Sequence, residues 1–418
     1  MTNERRAVIV LVAALAILAY LPLFTQPLIQ DDYPNIEQAR LFGPPSGWGG
    51  MLQHPVFRYR VTFWLLTSWI DALFGPSARA FYAASIALHV LAVWILYALG
   101  AWRAIGWRVS AAAAAFFAVY EGHQEAVMWY SASCETLAFI FGGLSLLCWI
   151  HFLERGNKRW YAGALASFVL ALATKESAVV FAPLLLVPLW GAPRKRLLAW
   201  MPFAALALAD AALIFANKTQ SFRFQDGSFS LHAPFWITWP VSYGRLLWPW
   251  GFAALALLAL LGFRRYRGLV AIAALWMGAA LAPYSFLTYM HRIPSRQTYL
   301  ASAGLAWLAG AAFCALHARL RRHRRAVLAL LVAGVLGVNI AYLWTKKRHQ
   351  FLERAAPTEA LIALANRTRG PIFMRCYADP AIIADAAVRL RANQPAPTLL
   401  WNPADCAKSA AEFCWPAK

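Results

Sequence analysis

The feature that most constrains this chain is a succession of apolar stretches separated by short basic clusters. Uncharged runs approaching 20 residues match the thickness of a bilayer core, and a soluble fold has no use for so many of them. Hydrophobic residues make up 61% of the 418, well beyond what a soluble domain of that size needs to fill its interior. The runs at 8–24, 80–102, 109–120, 134–153, 160–173, 177–190, 197–216, 247–263, 269–284, 299–315 and 326–344 are predicted spans. A further apolar run at 61–73 is predicted to lie as an in-plane helix. The expected fold is an all-α polytopic integral membrane protein with about eleven transmembrane helices and periplasmic in-plane helices. A small mixed tail at 346–418 follows the membrane domain at 1–345.

Basic residues outnumber acidic ones by 39 to 18, a net charge of +21 that on its own could suit a nucleic acid. The distribution argues against that partner. The cations fall in short clusters between spans: Arg5-Arg6, Arg103 with Arg108, 155–159, Arg194-Lys195-Arg196, 264–267 and 319–325. Read as cytoplasmic loops under the positive-inside rule, they put the amino terminus in the cytoplasm and the carboxyl-terminal tail outside. One cluster, Lys346-Lys347-Arg348, falls on the opposite side of that alternation. The first run has a basic start and no small-residue cleavage site after it, so it reads as an uncleaved anchor. Six cysteines show no metal spacing; Cys134, Cys148 and Cys314 sit in or beside spans as small hydrophobes. Cys376, Cys406 and Cys414 lie in the external tail, where one disulfide is possible and its pairing is not deducible.

Polar groups concentrate on the segments assigned to the outside. They are Asp31-Asp32-Tyr33, His54 with Arg58 and Arg60, Glu121 to Glu125 with Trp129 and Tyr130, Thr174-Lys175-Glu176, and His291 to Tyr299. Hairpin lengths bring them to one depth. About 34 residues between Arg159 and Arg194 give roughly 50 Å of helix, slightly less than two crossings of a core of about 30 Å. The tip at Thr174 to Ser177 is therefore expected at the outer interface, as is the polar middle of the hairpin from Arg108 to Glu154. Ionisable groups held at a membrane face point to a functional site. A carboxylate there can deprotonate a hydroxyl, fixed cations can hold a phosphate and its developing charge, and aromatic faces suit sugar rings. Those parts describe glycosyl transfer from a lipid phosphate. A nucleotide-sugar enzyme would need a Gly-rich strand-to-helix signature that the chain does not carry.

The order of these pieces resembles the GT-C superfamily of polyprenyl-phosphate-sugar glycosyltransferases, and within it bacterial relatives of the TPR-containing membrane O-mannosyltransferases. The matching pieces are Asp31-Asp32 after the first span, Phe57-Arg58-Tyr59-Arg60 leading into Val61-Thr62-Phe63-Trp64-Leu65, and Leu73-Phe74-Gly75 with a later His89. His123-Gln124-Glu125 through Trp129-Tyr130-Ser131, Thr174-Lys175-Glu176-Ser177 with Pro183, and Arg296-Gln297-Thr298-Tyr299-Leu300 complete it over about three quarters of the chain. The resemblance implies Asp31 as catalytic base or acceptor-positioning carboxylate, with Asp32 second. Lys175, Arg296 and Arg58 or Arg60 would hold the donor phosphate; His123, Glu125, Trp129, Glu176, Tyr299 and His54 would shape the sugar and acceptor pocket. The co-substrate would be a polyprenyl-phosphate-linked hexose. Two carboxylates and phosphate oxygens would also suit Mg2+ or Mn2+ at Asp31 and Asp32, although one base suffices. The chain departs from the pattern at Gln124, where the family often has Pro, and lacks the TPR array, which leaves a glycan, lipid or protein acceptor open.

Plainer readings stand beside these. Asp31-Asp32 before Tyr33-Pro34 suits a helix N-cap, Lys175-Glu176 a helix-turn ion pair, and Arg296 an interfacial anchor. His123 and His54 suit hydrogen-bonded interface residues, and His89 a packing residue inside an apolar run. The expected location is a bacterial inner membrane with the active site facing the periplasm. Competing functions are a lipid-linked-sugar flippase or transporter, for which midplane charges and internal repeats would be expected, and a polysaccharide ligase or polymerase.

Overall fold

The computed structural model describes residues 3–54, 57–189, 195–220, 222–225, 227–288, 294–320, 324–393 and 395–415. The helices of ten or more residues are α1 (Asn3–Tyr20), α2 (Asp32–Phe42), α3 (Val61–Phe74), α4 (Ala78–Ala98), α5 (Trp107–Val119), α6 (Ser133–Arg155) and α7 (Lys158–Leu172). They continue as α8 (Lys195–Ala216), α9 (Phe235–Leu247), α10 (Trp250–Leu261), α11 (Phe263–Leu281), α12 (Ser302–Arg319), α13 (Arg324–Tyr342) and α14 (Arg348–Ala365). The tail adds β1 (Ile372–Cys376), α15 (Ala381–Arg391), β2 (Leu399–Leu400) and β3 (Ala411–Cys414). The protein is a multi-pass helical membrane protein.

The expected count of about eleven spans is not confirmed. Among the described residues, six helical stretches are long and apolar enough to cross a bilayer: Asn3–Thr25, Ala78–Ala101, Tyr130–Arg155, Arg196–Ala216, Phe263–Phe286 and Ala326–Ala365. A seventh is gained if α9 and α10, bent by 71° at their junction, form one broken span. The runs predicted at 109–120 and 177–190 fold as the short apolar helices Trp107–Val119 and Glu176–Leu189. Thirteen helical residues rise only about 20 Å, short of a core of about 30 Å. Helix α9 lies outside the predicted spans save for Leu247, with Trp236 and, just beyond its end, Trp248 exposed as amphipathic anchors.

Local chemistry fixes the hairpins. Gly156 (φ +69) ends α6 in a left-handed cap, and the Asn157 side chain accepts from the Arg159 amide to start α7. Small residues set the packing around α12, which is buried on most sides. A Cβ at Gly310 would lie 2.4 Å from the Val109 carbonyl on α5, and one at Gly304 would lie 2.7 Å from the Ala273 carbonyl on α11. Both contacts need glycine. Large apolar side chains such as Val10, Trp69, Leu73, Leu208, Leu260 and Leu330 stay on the outer surface, where lipid is their solvent. Arg5 lies over the Trp107 ring at 4.1 Å, so the amino terminus and the 103–108 loop share one end of the bundle.

The tail is a three-stranded parallel sheet in the order β2-β1-β3. Leu361, Ile372, Met374, Ala384, Val388 and Phe413 fill its small core. A Cys376–Cys414 disulfide joins β1 to β3, and Cys406 is free and exposed. The tail returns to the membrane domain. Helix α15 packs on α2, and Arg389 makes two hydrogen bonds to Glu37. A π-helical turn, Leu343–Lys347, joins α13 to α14 without a break, so Lys346 and Lys347 lie on a helix that leads into this unit.

Candidate active site

Asp31, Arg60 and Lys175 each sit at the cap just before a helix. Helix α2 begins just after Asp31, and the Asp32 carboxylate secures that turn. It accepts from the Ile29 amide at 3.0 Å, the Ser131 amide at 2.8 Å and the Ser131 hydroxyl at 2.6 Å. Burial pushes Asp32 up to about 7, opposed by these three donors. Asp32 is fully buried and does not line the cavity beside it. Asp31 does.

That cavity has a volume of about 670 Å³, and Asp31, Arg60, Lys175, Arg296 and Trp129 are among its walls. Asp31 opens into a recess enclosed by protein mass, so desolvation raises its pKa while Arg296, Arg354 and Arg60 lower it and Asp379 raises it. Arg60 is brought in by the start of α3. Thr62 bonds Thr174 through the two hydroxyls at 2.6 Å, and Arg40 on α2 holds Asp71 on α3 in a bidentate pair at 2.7 and 3.0 Å. Lys175 lies on the turn after α7, almost buried, and donates to Glu135 at the start of α6. Tyr284 donates to the other Glu135 oxygen at 2.8 Å and lies 2.7 Å from Ser177. Arg296 is steadied by Glu125, which accepts from its backbone amide at 3.1 Å and lies 3.8 Å from its guanidinium. The guanidinium rests over Trp129 at 4.9 Å, and Arg354 of α14 approaches the same ring at 4.7 Å. Ser228, Leu287 and Thr288 close the opposite lip through the Thr288 amide to Ser228 carbonyl bond, and Ile382 of the tail overhangs.

The remaining expected residues fall outside the cavity. Lys175 and Glu176 do not pair with each other: Glu176 lies 3.7 Å from Arg60, so the turn distributes its charges to two different partners. His54 stacks on Phe57 with ring centroids 3.8 Å apart and accepts from the Phe57 amide; burial and then the Arg58 cation lower its pKa. Arg58 lies against Tyr59 rather than on the cavity wall. His123 is buried behind the wall among Phe117, Tyr120 and Tyr299, with Nε2 2.6 Å from the Ser302 hydroxyl. The Ser302 hydroxyl donates to the Tyr299 carbonyl at 2.6 Å, and burial, then His89, lowers the His123 pKa and holds the ring neutral. Tyr299 is also buried, its hydroxyl 2.8 Å from Nδ1 of His89, whose other nitrogen faces the Ala118 carbonyl: His89 is the packing residue expected. His291 and Arg292 lie outside the described residues.

Among the described residues no group of three or more His, Cys, Asp or Glu side chains could hold a metal ion. Both oxygens of Asp32 are already engaged, so the acidic pair does not present two carboxylates to one ion. The sequence pattern assigned no role to Glu135, Tyr284, Ser131 or Arg354. Glu135 had a visible signal, a carboxylate at the head of an otherwise apolar run, where an unpaired charge is costly.

Residues 54–217 match the family model described as dolichyl-phosphate-mannose-protein mannosyltransferase. That stretch includes Arg60, Glu135 and Lys175, while Asp31 and Arg296 flank it. No curated protein matches the chain. The fold is similar to ArnT from Cupriavidus metallidurans, solved bound to undecaprenyl phosphate, with a TM-score of 0.55 and 16% identity over 94% of this chain and 87% of that one. It is also similar to the oligosaccharyltransferase AglB from Archaeoglobus fulgidus, solved with an inhibitory peptide and a dolichol-phosphate. There the TM-score is 0.58 and the identity 12% over 94% of this chain, which spans 64% of AglB. The family match and this shared fold make the chain similar to membrane glycosyltransferases of the GT-C type.

Proposed function

We propose that the chain transfers a hexose from a polyprenyl-phosphate carrier to an acceptor hydroxyl, in a single displacement that inverts the anomeric centre. The observation that carries this reading is one water-accessible carboxylate, Asp31, sharing a cavity with Arg60, Lys175 and Arg296. The carriers bound by ArnT and AglB support a lipid phosphate as the donor's anionic end. Asp31 takes the proton of the acceptor hydroxyl as its oxygen attacks the anomeric carbon. The bond from that carbon to the phosphate oxygen breaks, and the electron pair leaves with the phosphate. No general acid is required, because the leaving group is a stable anion met by three cations. Glu125 and Trp129 orient Arg296, and Glu135 with Tyr284 orients Lys175. The membrane domain at 1–345 carries the chemistry, with the tail at 346–418 outside the membrane. The basic ends near Arg5 and the 103–108 loop support a cytoplasmic face opposite the cavity, and hence a periplasmic site in a bacterial inner membrane. The acceptor is a glycan, lipid or protein.

The test uses purified protein in nanodiscs with radiolabelled polyprenyl-phosphate hexoses and an envelope extract as the acceptor pool. Wild type is expected to label the extract, and Asp31→Asn to fall by about 10²–10⁴-fold, the span of general-base catalysis. Equal labelling by both removes Asp31 as base. Lipid movement across vesicles without transfer favours the flippase.

A further inference from the structure

Gln30 is the one described residue other than glycine with a positive φ, +44. A side chain at that backbone angle is disfavoured, because its Cβ crowds the carbonyl, and it persists only where the surroundings hold it. It immediately precedes Asp31. The surroundings that hold it come from the far end of the sequence. The Gln30 side-chain oxygen accepts from Arg354 on α14, and its nitrogen donates to Asp379 at 2.8 Å in the loop between β1 and α15. A cation on the oxygen and an anion on the nitrogen leave only one orientation for the amide. Two further contacts follow on the same face of α2: Tyr33 donates to Glu359 at 3.0 Å, and Glu37 takes the bidentate Arg389 pair. Positions 33 and 37 lie one above the other on the helix, and Gln30 precedes it in the turn.

We propose that the carboxyl-terminal unit positions the catalytic carboxylate, with Gln30, Arg354 and Asp379 forming a clamp that fixes the turn carrying Asp31. The inference rests on the reading of Asp31 as base. Gln30 and Asp379 are positioning residues and touch no substrate. Their removal leaves the cavity's cations in place and lets the Asp31 carboxylate wander from the acceptor hydroxyl. A misplaced base lowers turnover more than binding. Asp379 also contributes a negative charge that raises the Asp31 pKa, so its two effects are separable.

The experiment measures transfer across pH by the full-length protein in nanodiscs, with polyprenyl-phosphate hexoses as donors and envelope extract as acceptor. Gln30→Ala and Asp379→Ala are each expected to lower kcat at least tenfold with less than twofold change in the donor KM. The double variant is expected to be no worse than the poorer single one, because both break the same clamp. Asp379→Asn keeps an oxygen acceptor for Gln30, so its plateau kcat is expected within twofold of wild type, with its acid limb moved to lower pH. Amide exchange at 29–35 is expected to quicken in Asp379→Ala while β1 and α15 keep their protection. Wild-type kcat in both alanine variants, additive losses, or loss of protection throughout 372–391 would each overturn the clamp. If wild type transfers no sugar, the proposed function fails, and the exchange measurement still reports on the clamp.

Discussion

Asp31 and Asp32 are neighbours with opposite surroundings: one carboxylate is open to a cavity of cations, the other is sealed against three donors. Thermal unfolding in detergent separates them. Asp32→Ala orphans buried amide donors and is expected to cost about 2–4 kcal/mol, while Asp31→Asn keeps wild-type stability. The pH profile reports on Asp31 itself. Its pKa lies above the usual carboxylate value because burial outweighs the nearby arginines, so transfer is lost as acid protonates it at a higher pH than for an exposed aspartate. Removing a cation that lowers this pKa raises it further, so Arg296→Gln is expected to shift the acid limb upward and raise the donor KM. Lys175 supplies a third prediction. Glu135→Ala leaves a nearly buried ammonium without its carboxylate, and a loss of about 3–5 kcal/mol, read by unfolding, is expected for breaking such a pair. Asp31, Lys175 and Arg296 were legible in the sequence because charge is sparse and each falls beside an apolar run. His123, Tyr299 and His54 carried the same signal but point into packed aromatic surroundings. Composition does not encode which side of a short helical turn faces the cavity.

At the scale of elements, the apolar runs marked nearly every long helix, since hydrocarbon excludes charge and leaves the backbone no partner but itself. They do not by themselves count crossings. Helix α5 and the 176–189 segment are as apolar as true spans but too short, and burial against other helices explains their composition as well as lipid does. Helix α9 lies outside the predicted spans because Pro240, Gly244 and Arg245 interrupt its apolar run, although an amphipathic interfacial helix tolerates them. The crossing of α12 with α5 gives a prediction that belongs here. Gly310→Ala drives a methyl into the Val109 carbonyl, and overpacking of this kind is expected to cost about 1–3 kcal/mol, measurable as a lower unfolding temperature in detergent.

At the scale of the whole molecule, the tail is a second unit with its own core that also reaches over the cavity, through Ile382 and through the contacts to α2. A separate tail was legible in the change of composition after 345, but its contacts with α2 and the cavity were not, because long-range pairing between residues 30 and 379 leaves no periodic trace in either segment. Sidedness is testable through the tail's cysteines. In cells with a permeabilised outer membrane, an impermeant maleimide is expected to label Cys406 directly and Cys376 and Cys414 only after reduction. Labelling that requires lysis would place the tail, and the cavity with it, on the cytoplasmic side. The unbroken helix from Ala326 to Ala365 ties these scales together. Forty helical residues reach about 60 Å, and each residue added to or removed from such a rod turns everything beyond it by about 100°. Arg354 meets Gln30 only at one phase of that rotation, so the length of the π-helical turn at 343–347 works as a key cut for a single lock.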